Sequence, residues 1–171
     1  ARADPDGVTD RSYERLDLNE LVRQATLEKV PMARKKAIDL GFESARREAW
    51  VQGNALLLHE LITNLLDNAI QYTPEGSCVN VRVHATSPIL VEVEDNGPGV
   101  DASERERVFE RFYRGQATAA SAPSGSGLGL AIVRDIAAGH RGSVTLGQPR
   151  VGPGLLVRVS IPGALAHPRK A

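Results

Sequence analysis

The chain predicts an α+β fold, a two-layer sandwich in which helices pack on one face of a mixed, mainly antiparallel sheet. Three observations carry that reading. Apolar residues recur at helical spacing behind Asp17 and again behind Asn54, each position a good helix cap. Val79, Val81 and Val83 alternate with polar residues, Leu90, Val91 and Val93 follow, and Ser87-Pro88 lies between them as a hairpin turn. Val144 and Leu146, then Leu155, Val157, Val159 and Ile161, supply a closing strand pair. Helices and hairpins mixed in this order argue for helices gathered on one side of the sheet.

Taken in order, residues 1–11 read as a frayed lead-in, residues 12–163 as one domain and residues 164–171 as a flexible tail. Ser12 to Leu16 reads as a short strand. Asp17 then caps a helix, with Glu20 at the place that completes a capping box, and Leu18, Leu21, Val22 and Ala25 form its apolar stripe. Pro31 kinks or ends that helix unless it opens a new turn. Ile38, Leu40 and Phe42 alternate as a strand, and Trp50-Val51 is a second short extended piece. The next helix covers residues 55–72, with Leu57, Leu58, Leu61, Ile62, Leu65, Leu66 and Ala69 as a broad apolar face. Tyr72-Thr73-Pro74-Glu75-Gly76 closes it with turn chemistry. Ser103 caps a short helix carrying Val108 and Phe109. Residues 115–126 are nearly all Ala, Ser, Thr, Gly and Pro, the composition of a loop. A last helix runs from Leu128 to Ala138 and stops at Gly139.

Length and composition bound the function. A chain of 171 residues, 42% hydrophobic and 25% charged, is long enough for one domain with a real core. Its formal net charge of zero gives no reason to expect a nucleic-acid partner. The single Cys78 rules out an internal disulfide and fits a reducing compartment. No apolar run approaches the ~20 residues that span a bilayer, and the polar start does not resemble a signal peptide, so the chain is expected to be soluble.

Four short blocks carry the chemistry. In Asn64-Leu65-Leu66-Asp67-Asn68-Ala69 the two asparagines are four residues apart on a helix, so they share a face about 6 Å apart along the axis, with Glu60 one turn earlier. Carboxamide oxygens suit Mg²⁺, a hard cation that keeps water and shares phosphate oxygens. The competing reading of the pair alone, as solvent-facing asparagines, is the weaker one. Gln71 and Tyr72 fall on the last turn, within reach of a phosphate and a base. Asp95-Asn96-Gly97-Pro98-Gly99 follows a strand; its carboxylate suits an exocyclic amine, and Gly97 and Gly99 permit positive φ and close ligand approach. Alone, it is a tight turn. Phe109-Glu110-Arg111-Phe112-Tyr113-Arg114 combines aromatics with arginine. Gly125-Ser126-Gly127-Leu128-Gly129-Leu130 runs into a helix, whose first N–H groups and dipole attract phosphate. The absence of a Lys-Ser/Thr pair excludes a P-loop, and the lack of a preceding strand excludes a dinucleotide fingerprint.

In this order the blocks resemble the N, G1, F and G2 boxes of the ATP-binding catalytic domain of bacterial sensor histidine kinases, whose Bergerat-type fold is shared with DNA gyrase, mismatch-repair and chaperone ATPases. The resemblance covers about residues 12–162. It implies ATP and Mg²⁺ as ligands, with Asn68 as the metal ligand and Glu60 and Asn64 as catalytic neighbours in the metal and phosphate region. It implies that Asp95 binds the adenine amino group, that Gly97, Gly99 and Val100 shape the base pocket, and that Gln71, Tyr72 and Tyr113 line the nucleotide. Arg114 is implied at the terminal phosphate as a catalytic group, Phe109 and Phe112 as lid anchors, and Gly127, Leu128, Gly129 and Leu130 as the phosphate-side wall. Gln71 departs from the pattern, since the family often has Lys or Arg there. Asn64 stands where hydrolysing relatives carry glutamate, and an amide is no general base at neutral pH, which favours transfer over hydrolysis.

The resemblance also implies partners: a dimerisation domain of the same parent protein bearing the acceptor histidine, and a response regulator, with the domain itself monomeric and cytoplasmic below an inner-membrane sensor. The acceptor histidine is not expected in this chain. His59-Glu60 lacks the Arg and Pro of the acceptor motif, so His59 reads as a partly buried helix residue. His84, His140 and His167 have no acidic or metal-ligand company in sequence, and His140 falls in the turn after the last helix. The competing expectations are a gyrase- or chaperone-like ATPase module and a degenerate interaction module.

Overall fold

The computed structural model describes residues 12–99, 103 and 129–164. In chain order its elements are β1 (Glu14–Asp17), α1 (Leu18–Glu28), α2 (Val30–Lys35), β2 (Asp39–Glu43), β3 (Trp50–Gly53), α3 (Ala55–Tyr72), β4 (Cys78–His84), β5 (Ile89–Asp95), α4 (Gly129–Gly139), β6 (Ser143–Gly147) and β7 (Leu155–Ile161). A five-stranded sheet runs in the order β2-β4-β5-β7-β6, and β1 pairs with β3 as a separate ribbon. Only β2–β4 is parallel; the other pairs of the sheet are antiparallel.

Strand alternation sorts the two faces of the sheet. Val79, Val81 and Val83 of β4, Ile89, Val91 and Val93 of β5, and Val157, Val159 and Ile161 of β7 are buried and belong to the core cluster with Leu18, Val22, Leu58, Leu61, Leu65, Leu66 and Val133 of the helices. Register puts Val93 opposite both Val81 and Val157, so the apolar residues form rows across the strands. By the same parity Asp95 continues the helix-facing row, at its last position. The opposite parity gives the outer face a charged ladder. Arg82 pairs with Glu43 at 3.1 Å and with Glu94 at 3.5 Å, and Glu92 takes Arg158 at 2.8 Å together with His84.

Most elements fall where periodicity puts them. Asn54 caps α3, its Oδ1 accepting from the Leu57 N–H at 3.0 Å. Pro31 opens a new turn, at the start of α2, after a break at Lys29. Four expectations need correction. The first strand is Glu14–Asp17 rather than Ser12–Leu16, because Asp17 is still paired with Trp50. The capping box does not form. Asp17 does cap α1, accepting from the Asn19 N–H at 3.1 Å, but Glu20 turns along the helix to Arg23 at 2.5 Å and Gln24 at 3.2 Å. The last helix includes Gly139 rather than stopping before it. His84 is not without acidic company: it bonds Glu92, which is remote in sequence pattern but diagonal to it across β4 and β5. The expected helix after Ser103 and the expected loop over 115–126 lie outside the described residues.

Candidate functional site

The site is organised by α3 and the end of β5. Helical spacing carries Glu60, Asn64 and Asn68 down one side of α3, from exposed Glu60 to half-buried Asn64 and Asn68, away from the buried Ile62 and Leu66. Asn64 spends its amide N–H on the Glu60 carbonyl at 2.8 Å, which leaves its carboxamide oxygen as an acceptor. Asn68, half-buried on the next turn, has no hydrogen-bond partner among the described residues. Gln71 and Tyr72 complete the last turn, both half-buried.

Asp95 is held from the other side. Its Oδ1 accepts from the Gly97 N–H at 2.9 Å and from the Leu155 N–H at 3.3 Å, and Oδ2 has no partner among the described residues. Burial pushes the Asp95 carboxyl above its ordinary value; the two backbone donors pull the other way, and neighbouring Glu94 adds to the rise. The result is a fixed carboxylate with one oxygen committed to the backbone and one left to accept a donor.

Glycines set how closely the backbone packs here. Gly99 has φ +78, and a Cβ there would lie 2.6 Å from the Gly154 carbonyl oxygen. Gly154 itself has φ +139, and a Cβ on it would overlap the Asp95 carbonyl. Gly97 differs from the sequence expectation, since it has no positive φ; it serves by close approach, where a Cβ would meet Asp95 Oδ1 at 3.2 Å and the Thr73 Cα at 3.5 Å. Those distances place Asp95 and Gly97 against the C-terminal end of α3. The Asp95 block thus packs against Thr73 and Pro74, which directly follow the helix that carries Asn68. Gly129 starts α4, and Leu130 is half-buried against the core. Val100, Phe109, Phe112, Tyr113, Arg114, Gly127 and Leu128 lie outside the described residues.

Several supports were not legible from motifs. Lys36, at the end of α2, donates from Nζ to the carbonyls of Ile70 at 2.8 Å and Gln71 at 2.6 Å, closing the turn that carries the site residues. Burial pushes its ammonium pKa down. Thr73 is 1% exposed, and its hydroxyl has no hydrogen-bond partner among the described residues. His140 is buried between two backbone groups: Nδ1 meets the Ile136 carbonyl at 2.8 Å and Nε2 meets the Asn54 N–H at 3.1 Å. A carbonyl demands a donor and an N–H demands an acceptor, so the ring is the neutral Nδ1–H tautomer and ties the end of α4 to the cap of α3. His59 is half-buried as expected and pairs with Glu28 at 2.8 Å.

The donor set suits a nucleotide better than a resident metal. No group of three His, Cys, Asp or Glu side chains among the described residues could hold a metal ion. The described polar groups here are carboxamides on α3 and the anchored Asp95 carboxyl at the end of β5. A cavity of about 380 Å³ lies at the opposite end of the sheet, among Glu43, Arg46, Arg47, Arg82 and His84, and is separate from this corner.

The comparisons with known proteins agree with this geometry. Residues 53–165 match the family described as histidine kinase-, DNA gyrase B-, and HSP90-like ATPase. The signal transduction histidine-protein kinase/phosphatase MprB of Mycobacterium sp. (strain KMS) is 41% identical over 156 residues, covering 88% of this chain and 29% of the relative, so the chain spans under a third of that protein. The solved mycobacterial sensor histidine kinase MprB is 33% identical with a TM-score of 0.74, covering 88% of this chain and 97% of that one. The cytoplasmic segment of histidine kinase QseC is 27% identical with a TM-score of 0.66, covering 94% of this chain and 83% of that one. The α+β architecture is the one those kinase domains share. The chain belongs to the histidine kinase-, DNA gyrase B- and HSP90-like ATPase family, as an ATP-binding catalytic domain of the sensor histidine kinase kind.

Proposed function

We propose that this domain holds ATP with Mg²⁺ along that side of α3 and donates the γ-phosphoryl group to a histidine on a separate dimerisation domain of the same parent protein, for relay to a response regulator. The observation that supports the proposal is the packing of Gly97, whose N–H holds the Asp95 carboxyl, against Thr73 and Pro74 at the end of the helix that carries Asn68.

Asp95 Oδ2 accepts the adenine amine, and the Gly97 backbone lets the base lie close. Asn68 offers its carboxamide oxygen as the metal ligand, and Asn64 and Glu60 stand one and two turns further along. Magnesium held by Asn68 would supply charge neutralisation of the phosphates. Gln71 and Tyr72 line the nucleotide from the last turn. Val100, Tyr113, Arg114, Gly127, Leu128, Gly129 and Leu130 complete the pocket by family resemblance, with Arg114 at the γ-phosphate. Asn64 cannot take a proton from water at neutral pH, so the domain works by positioning and waits for an imidazole nucleophile. The gyrase-like ATPase alternative has no observation in its favour. We place the domain on the cytoplasmic side of an inner-membrane sensor, in keeping with the QseC segment; among the described residues no helix is long and apolar enough to cross a membrane.

The test is to incubate the chain with γ-labelled ATP, Mg²⁺ and the separately made dimerisation domain. Label appears on the acceptor histidine and is lost with Asn68→Ala. Nucleotide binding without any transfer would refute the kinase assignment.

A further inference from the structure

Leu56 is 76% exposed, more than any other large apolar side chain on a described helix or strand. A lone exposed leucine is ordinary on a protein surface. Its position is not. Thr73 and Pro74 lie against Gly97, so the base end of the site is the C-terminal end of α3. A nucleotide laid from there along the helix points its phosphates past Asn68 and Asn64 toward Glu60. Leu56 is the next residue on that course, one turn beyond Glu60 and about 12 Å along the axis from Asn64. At about 100° per residue it projects roughly 40° from Glu60 and 80° from Asn64, on the crest of the exposed face. Its neighbours on the crest are polar: Glu60, Thr63 and Asp67. The core gains nothing from a leucine there.

We propose that Leu56 is a docking contact for the histidine-bearing helix of the parent's dimerisation domain. The inference rests on the kinase reading above. Any group that takes the γ-phosphoryl must approach from beyond the phosphate end, and that approach passes over the first turn of α3. The chain spans 29% of the MprB relative, which leaves ample protein for such a partner. The complementary surface is a helix that presents an apolar side chain about one turn from its reactive histidine, so that the leucine is covered when the imidazole reaches the phosphate. Exposed Glu60 beside it keeps the contact small and reversible, as a transfer step requires.

The experiment measures initial rates of transfer from ATP to the separately made dimerisation domain over a range of acceptor concentrations, for the wild type, Leu56→Asp and Leu56→Met. Binding of a non-hydrolysable ATP analogue is titrated for each. Leu56→Asp is expected to lower kcat/KM for the acceptor by about tenfold or more through KM, with analogue affinity held within about twofold, while Leu56→Met transfers like the wild type. Unchanged transfer by Leu56→Asp overturns the inference, as does an equal loss of analogue affinity, which places the effect in the fold. A wild-type chain that binds the analogue yet transfers nothing overturns the kinase reading itself.

Discussion

Replacing Lys36 with methionine isolates the support of the α3 C-terminus. The substitution keeps most of the aliphatic stem and removes the ammonium that bridges the Ile70 and Gln71 carbonyls at 2.8 and 2.6 Å. A charged donor is worth about 1.5–3 kcal/mol per hydrogen bond at best, and a cation at a helix C-terminus about 0.3–1 kcal/mol more. Two terms reduce that. Lys36 is only half-buried, so water can reach the freed carbonyls, and burial already pushes its ammonium toward the neutral form. A net loss of about 1–2 kcal/mol follows, read in urea as a midpoint lower by about 0.5–1 M at unchanged slope. The larger expectation is functional. Asn68, Gln71 and Tyr72 ride on this turn, so ATP affinity is expected to fall by about fivefold or more in conditions where the variant is still fully folded. Lys36→Arg, which can still donate to both carbonyls, restores most of it. A midpoint and an ATP affinity both indistinguishable from wild type would refute the argument that this lysine holds the site.

Asn68→Ala is expected to keep the melting temperature within a few degrees, since the side chain has no hydrogen-bond partner among the described residues, while Mg²⁺-dependent ATP binding falls about a hundredfold by titration calorimetry. Asp95→Asn replaces the amine acceptor with an amide that must also face the Gly97 and Leu155 donors; adenine nucleotide affinity is expected to drop at least about tenfold, with the loss absent for a purine analogue that lacks the amino group. Because burial raises the Asp95 carboxyl above 3.8, ATP affinity is expected to weaken on acidification at higher pH than an ordinary aspartate would dictate, a trend readable by titration at constant ionic strength. Glu92 has the opposite sign. Burial pushes it up, but the hydrogen bonds and charges of Arg158 and His84 outweigh that and hold it below 4.5; its stabilisation is complete above 4.5 and lost as pH falls through the lowered value. Glu92→Gln is expected to be about 1–2 kcal/mol less stable at neutral pH and to lose less than wild type between neutral and acid conditions in thermal melts.

What the sequence disclosed follows from how far each interaction reaches along the chain. α3 was legible to the residue because both of its faces repeat at helical spacing and Asn54 marks its start. The hairpin of β4 and β5 was legible because β4 alternates strictly and a Pro turn separates it from the apolar run of β5. Motif reading singles out Asp95 and Asn68, since each is embedded in a local pattern. It could not find Leu155, whose N–H reaches Asp95 from 60 residues away, because a backbone donor leaves no trace in residue type. Lys36 was invisible for a related reason. A lysine at the end of a short helix reads as a solvated charge until the fold brings the end of α3, 34 residues on, beside it. Glu20 failed as a cap partner because Arg23 and Gln24 on the same helix compete for its carboxylate. His84 was misjudged because its acid, Glu92, is a neighbour only once the hairpin closes.

The two carboxylates of β5 show how one strand serves structure and chemistry at once. Glu92 and Asp95 are three residues apart, so alternation sends them to opposite faces. On the outer face Glu92 meets Arg158 and His84, and its charge is used up in holding three strands together. On the inner face Asp95 accepts, among the described residues, from the backbone N–H groups of Gly97 and Leu155, which orient the carboxyl without neutralising it. A strand lengthened or shortened by one residue before Asp95 would move this carboxylate to the outer face, where no helix stands opposite. The segment that leads into β7 leaves little tolerance for such a slip, since Gly154 allows the Asp95 backbone to come closer than any side chain would permit. Gly154→Ala is therefore a direct probe of register: it leaves Asp95, Asn68 and every charge in place, yet it must push β5 away from the start of β7. Nucleotide binding lost in a variant whose sheet still unfolds cooperatively would locate recognition in that backbone contact, whereas binding retained at wild-type strength would show that the Asp95 carboxylate does not depend on it.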